Sequence, residues 1–121
     1  MSNYSKLKVW KKAMNLTVEI YCLTKLLPES ERFGLIDQMR RAAVSIPSNI
    51  AEGYSRCSDK EFIHFLRISR GSVSELETQI MLCERISYLD STQLELAQSF
   101  CIEIDKMLNS LIRKIKKVQK G

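Results

Sequence analysis

The sequence predicts an all-α protein, an up-down-up-down antiparallel four-helix bundle in a single domain spanning residues 1–121. Three observations lead there. Apolar residues recur at i, i+3, i+4 and i+7 through four long stretches, the spacing of one helical face. The stretches are separated by brief breaks built from proline, serine and aspartate, not by linkers. No segment alternates with a strand period, and no internal repeat is present.

Helix one is expected over about residues 7–26, with Val9, Ala13, Leu16, Ile20, Leu23 and Leu27 as its stripe. Trp10, Met14, Val18 and Tyr21 widen that stripe beyond what one bundle core can cover. Leu27-Pro28 ends the helix, because the residue before proline is pushed out of the helical region.

Helix two is expected over about 30–53, with Ser30 as N-cap. Its centre, Gln38 to Gly53, is the stretch around which the other helices pack. Met39, Ala42, Ala43, Ile46 and Ile50 share one face, and most are small enough for a neighbour to approach closely. Pro47 removes a backbone donor and crowds the carbonyl of Ala43, so a kink is expected, with Ser48 and Asn49 satisfying the freed groups. Gly34 costs helix propensity, which a closely passing helix would explain, and Gly53 suits the position just past a helix end.

Helix three is expected over about 58–86. Ser58-Asp59-Lys60-Glu61 reads as a capping box, with Glu61 reaching back. Phe62, Phe65, Leu66, Ser69, Val73, Leu76 and Ile80 form its inward stripe, and the small residues of Ser69-Arg70-Gly71-Ser72 in mid-helix suggest close helix contact. Helix four is expected over about 91–118, capped by Asp90 or Ser91, with Leu94, Ala97, Cys101, Ile104, Leu108, Leu111 and Ile115 inward.

This topology sorts the charge. The start of helix one, the end of helix two, the start of helix three and the end of helix four share one pole. It gathers Lys6, Lys8, Lys11, Lys12, Arg56, Lys60, Arg113, Lys114, Lys116, Lys117 and Lys120 against Glu52, Asp59 and Glu61. The formal charge of +5 is therefore concentrated at one end. Clustered cations of this kind neutralise phosphates. Lys8, Lys11, Lys12, Arg56, Lys60, Arg113, Lys114, Lys116 and Lys117 are the candidate nucleic-acid contacts, to backbone rather than to bases. The competing reading gives the terminal lysines to the helix dipole and to solubility.

Other chemistry finds little support. Arg40 and Arg41 point about 100° apart on a helix and cannot act as one fork. At least one is expected in a structural ion pair with Glu52 or Glu75. The lone His64 has no suitably placed nucleophile, so no catalytic residue is assigned and the chain is read as non-enzymatic. Cys22, Cys57, Cys83 and Cys101 are widely spaced without a CxxC pair, so no metal or other cofactor is assigned. Cys22, Cys83 and Cys101 read as small hydrophobes in helices. No apolar run approaches the ~20 residues of a membrane span, and Met1 to Lys6 lacks a signal-peptide core. A cytoplasmic protein without a membrane partner or small-molecule substrate is expected.

The order of several motifs then resembles a known family. Leu7-Lys8-Val9-Trp10, Ala13, Ile20-Tyr21, Leu27-Pro28 and Glu31-Arg32-Phe33-Gly34-Leu35 come first. Gln38-Met39-Arg40-Arg41-Ala42, Ser45-Ile46-Pro47, Asn49-Ile50-Ala51-Glu52-Gly53, Phe62-x-x-Phe65-Leu66, Gly71-Ser72 and Glu75 follow. Together, over about residues 7 to 112, they are similar to the bacterial four-helix-bundle proteins encoded in 23S rRNA intervening sequences. The resemblance implies a ring-like homopentamer. It extends to the accessory protein of diversity-generating retroelements, which implies two partners: a nucleic acid, RNA or DNA, and a reverse transcriptase.

Overall fold

The computed structural model describes residues 3–120, with the side chains of residues 119 and 120 left out of the description. A 3-10 turn at Asn3–Lys6 leads into α1, Lys8–Thr24. A second 3-10 turn, Glu29–Glu31, precedes α2, Leu35–Ser55; α3 spans Asp59–Arg85 and α4 spans Ser91–Lys120. Each helix packs on two neighbours in the cyclic order α1–α2–α3–α4 and back to α1, and among the described residues the diagonal pairs keep their backbones apart. The cross-helix pairs run in opposite directions. Thr17 meets Ala43 while Thr24 meets Arg40, and Ile46 meets Ser69 while Met39 meets Cys83. Antiparallel packing follows, as short connections between long helices require.

The stripes expected from periodicity are the core. Val9, Ala13, Leu16, Ile20, Leu23 and Leu27 are buried from the first helix and its exit, with Met39, Ala42, Ala43, Ile46 and Ile50 from α2. Leu66, Val73, Leu76 and Ile80 meet Leu94, Ala97, Cys101, Ile104 and Leu108. The stripes are rotated slightly at two ends. On α3, Ile63 is buried while Phe62 and Phe65 sit half-buried; on α4, Ile112 is buried while Leu111 and Ile115 lie at the margin.

Helix two begins five residues later than Ser30 suggested. Glu29–Glu31 closes a 3-10 turn, and Gly34 stands at the N-cap with φ −107° and ψ −114°, outside the helix. Its space faces the carboxylate of Glu31, not a passing helix. Glu31 Oε1 accepts the amide of Leu35 at 3.1 Å, and Oε2 accepts the hydroxyl of Tyr88 at 2.7 Å. One carboxylate thus caps α2 and ties it to the α3–α4 connection. Those two donors hold the Glu31 carboxyl below the usual range, the tyrosine first, and the bond to Glu31 in turn pushes the Tyr88 hydroxyl up.

The far end of α2 also departs from expectation. The helix runs through Pro47 and past Gly53 to Ser55. Gly53 is buried because α3 crosses it: a Cβ there would lie 2.7 Å from Phe65 Cβ and 3.1 Å from Phe62 Cδ1. The left-handed residue after the helix is Cys57, with φ 58°; Ser87 fills the same role after α3 with φ 68°. Gly71, by contrast, faces open space, and the close approach expected of its stretch is made by its neighbours: Ser69 Oγ donates to Ile46 O at 2.9 Å, and Ser72 bonds Ser45 of α2. Beside the proline, Asn49 Nδ2 donates to Ser45 O at 2.8 Å, while Ser48 is exposed. The carbonyl freed by Pro47 is served from α1, by Thr17.

The remaining caps follow their chemistry. Ser58 accepts the Glu61 amide at 3.4 Å, but the Glu61 carboxylate turns to Arg56 instead of reaching back. At α4 the cap is Asp90: its Oδ1 accepts the Gln93 amide at 2.8 Å, and Gln93 Oε1 accepts the Asp90 amide at 3.0 Å. That reciprocal pair is a complete capping box.

Candidate nucleic-acid interface

The antiparallel order brings the starts of α1 and α3 and the ends of α2 and α4 to one pole. There Lys8 of α1 and Lys114 of α4 line the same groove, about 360 Å³, over Leu7, Val9, Met107 and Leu111. Lys11, Lys60, Arg113, Lys116 and Lys117 are likewise exposed. These seven candidate cations form no ion pair among the described residues. Lys120, counted with this pole, lies outside the described side chains.

Two of the nine candidates are already engaged. Lys12 Nζ lies 3.0 Å from Glu103 of α4 and 5.8 Å from the Phe100 ring centre. Arg56 takes up both nearby acids, Glu52 at 2.7 Å and Glu61 at 3.8 Å, and stacks 5.2 Å from Phe65. Its guanidinium offsets one of those two negative charges, and Asp59, the third acid of this pole, is exposed without an ion pair among the described residues. Lys106 is exposed on α4 and belongs with the free set. It shares a helical face with Arg113 and Lys117 at i, i+7 and i+11, a spacing that reveals it in the sequence.

The expected pairing of Arg40 or Arg41 with Glu52 or Glu75 does not form. Arg41 pairs with Asp37 one turn away at 3.0 Å. Arg40 donates to Thr24 Oγ1 at 2.9 Å and lies 4.6 Å over the Tyr21 ring. Glu52 lies eleven and twelve positions along the same helix from the two arginines, about 17 Å of rise, too far to reach. Glu75 faces outward on α3 and has no ion pair among the described residues.

His64 lies on the exposed surface with its ring 5.3 Å from that of Phe65. Among the described residues no three His, Cys, Asp or Glu side chains gather as a metal site. Cys83 and Cys101 are fully buried; burial pushes the Cys101 thiol up to about 12 and the Cys83 thiol upward as well. Cys22 is exposed, not packed in the core as its helical setting suggested. Among the described residues no helix is long and apolar enough to cross a membrane.

These features define a class: an antiparallel four-helix bundle with a cationic end. The family model described as 23S rRNA-intervening sequence protein matches residues 5–110, and the chain belongs to that family. A solved structure from Bacteroides thetaiotaomicron VPI-5482, described as a protein with unknown function from the S23 ribosomal protein family, is 32% identical. The match covers 86% of this chain and 97% of that one, with a TM-score of 0.80. No curated protein matches the chain.

Proposed function

We propose that the protein is a non-enzymatic, oligomeric bundle of the cytoplasm that binds structured RNA or DNA through its basic pole. The observation that carries this reading is the set of seven exposed, unpaired cations at one end, beside a pair of acids occupied by Arg56. Exposed lysines carried on helix ends reach phosphate oxygens at little cost, and each phosphate neutralised releases counterions. The bundle has no base-reading element, so contact is to backbone and shape. In a ring-like homopentamer, as the family resemblance implies, every basic pole points the same way and the charge is multiplied on one rim.

Fluorescence anisotropy with labelled hairpin RNA and duplex DNA, titrated with salt, tests this. Affinity should fall steeply with salt, and Lys114→Glu with Lys116→Glu and Lys117→Glu together should abolish it. Absence of binding at low salt would refute the reading. A second reading, an assembly scaffold for another polypeptide such as a reverse transcriptase, draws on the exposed apolar side chains Met14, Val18, Met81 and Ile102. Under that reading the triple reversal leaves partner capture intact.

A further inference from the structure

We infer that the feature recognised at the basic pole is an unpaired nucleobase, stacked in an aromatic cleft between the start of α1 and the second half of α2. The inference rests on the nucleic-acid reading above and names the form of nucleic acid it takes. The 3-10 turn at Asn3–Lys6 lies against both α1 and α2, and Leu7 N donates to Tyr4 O at 3.0 Å. That fold-back sets Tyr4 beside Trp10, ring centres 5.4 Å apart and planes at 62°. Both rings line a cleft of about 350 Å³ with Met14 of α1 and Pro47 and Ala51 of α2. Such a volume lies at the small end of clefts that hold ligands, ~300–1,000 Å³.

The ring geometry suits a flat aromatic guest. An edge-on pair leaves the faces of one ring clear for offset stacking, and neither Tyr4 nor Trp10 is fully buried. Met14, 41% exposed beside them, supplies a polarisable thioether that packs well against rings. Ser48, exposed in the same lining, offers a hydroxyl to a base edge. Trp10 and Met14 are surplus to the buried stripe of α1, and the cleft gives that surplus a use.

Charge selects the guest. No acid lines the cleft among the described residues, and the α2 stretch from Val44 to Ala51 carries no charged side chain. Lys6 ends the turn that carries Tyr4, and Lys8 and Lys11 flank Trp10 in sequence. All three are exposed and form no ion pair among the described residues. Free cations beside an aromatic cleft match a neutral base carried on a phosphate chain, one partner supplying both parts. Bases inside a duplex keep their faces on their neighbours, so a loop, a bulge or a single strand must present the guest. Stacking tolerates any base, in keeping with a pole that has no base-reading element.

Trp10 is the single tryptophan of the chain, so its emission reports on the cleft directly. The test compares a hairpin RNA bearing an unpaired loop with a blunt RNA duplex of equal phosphate number, reading anisotropy and Trp10 emission together. The hairpin should bind more tightly and quench Trp10, and the duplex should bind without quenching. Tyr4→Leu, outside the buried core, should weaken the hairpin by about 5- to 100-fold, the worth of one stacked base, and leave the duplex unchanged. Its salt dependence should match that of the wild type, because no phosphate contact is removed. Equal binding of the two RNAs with Trp10 unquenched, or a Tyr4→Leu protein that holds the hairpin as the wild type does, overturns the stacking site while the phosphate reading stands. Trp10 emission that follows protein concentration and ignores RNA would give the cleft to a neighbouring copy, and also overturns it. Absence of binding to either RNA at low salt refutes the nucleic-acid reading and the stacking site together.

Discussion

The hydroxyl oxygen of Thr17 stands 3.1 Å from the carbonyl oxygen of Ala43. Pro47 has no amide hydrogen for that carbonyl, so α1 supplies from outside the donor that α2 lacks within. The same hydroxyl lies 2.8 Å from Ala13 O, an oxygen that the helix ladder of α1 already serves. Turned toward Ala43, the proton relieves a buried acceptor that would otherwise go without.

Thr17→Val should therefore destabilise the fold by about 1–3 kcal/mol, the cost of leaving a buried acceptor unpaired. In a Pro47→Ala background, where residue 47 regains its amide, the same change should cost clearly less. Urea unfolding of the four proteins in this cycle measures the coupling. Equal costs in both backgrounds would show that Thr17 does not compensate for the proline.

Gly53 and Gly71 should respond to alanine with opposite signs. At Gly53 the new Cβ would sit 2.7 Å from Phe65 Cβ, an atom held close to the backbone of α3. Overpacking should cost about 1–3 kcal/mol despite the gain in helix propensity. At Gly71 nothing lies within 4 Å, so alanine should stabilise by up to ~1 kcal/mol. Thermal unfolding of both variants decides it.

The Glu31 clasp makes stability depend on pH in a stated direction. Its folded carboxyl titrates below its unfolded value, so its contribution is present above the ordinary glutamate range and fades as pH falls through the folded value. Tyr88 titrates upward, so its contribution is present below the ordinary tyrosine range and is lost as pH rises through the folded value. Wild type and Glu31→Gln should differ in Tm at neutral pH and converge in acid. Parallel curves down to pH 3 would remove the clasp as a source of acid sensitivity.

Thiol labelling should separate the cysteines into two pairs. Cys22 and Cys57 are exposed and should react at once with a disulfide reagent at neutral pH. Cys83 and Cys101 are fully buried, with raised thiols, and should react only as the bundle opens. Fast reaction of a third thiol would show that the packing around α3 or α4 opens locally.

Helix count, core stripes and the basic pole were legible without coordinates. A 3.6-residue period declares which side chains face inward, and short breaks between long helices leave antiparallel order as the simple solution. Asp90 and Gln93 were legible in principle, since both halves of that cap lie within four residues. The family motifs, too, are read in sequence order. By itself, then, the sequence determined the local and periodic features: the helices, their buried faces and the end at which cations collect.

Only the tertiary structure decided the partners of polar groups across helices. Nothing in the order of residues says that Thr17 answers Pro47, that Arg40 turns to Thr24, or that Glu31 reaches Tyr88. Nor does it say that Gly53 is small for the sake of Phe65, or that Arg56 takes up the acids beside the lysines. The physical reason is one of range. Burial is set by periodicity along one chain segment, whereas a hydrogen bond or ion pair requires atoms from distant segments within about 3 Å, and only the packed helices place them there.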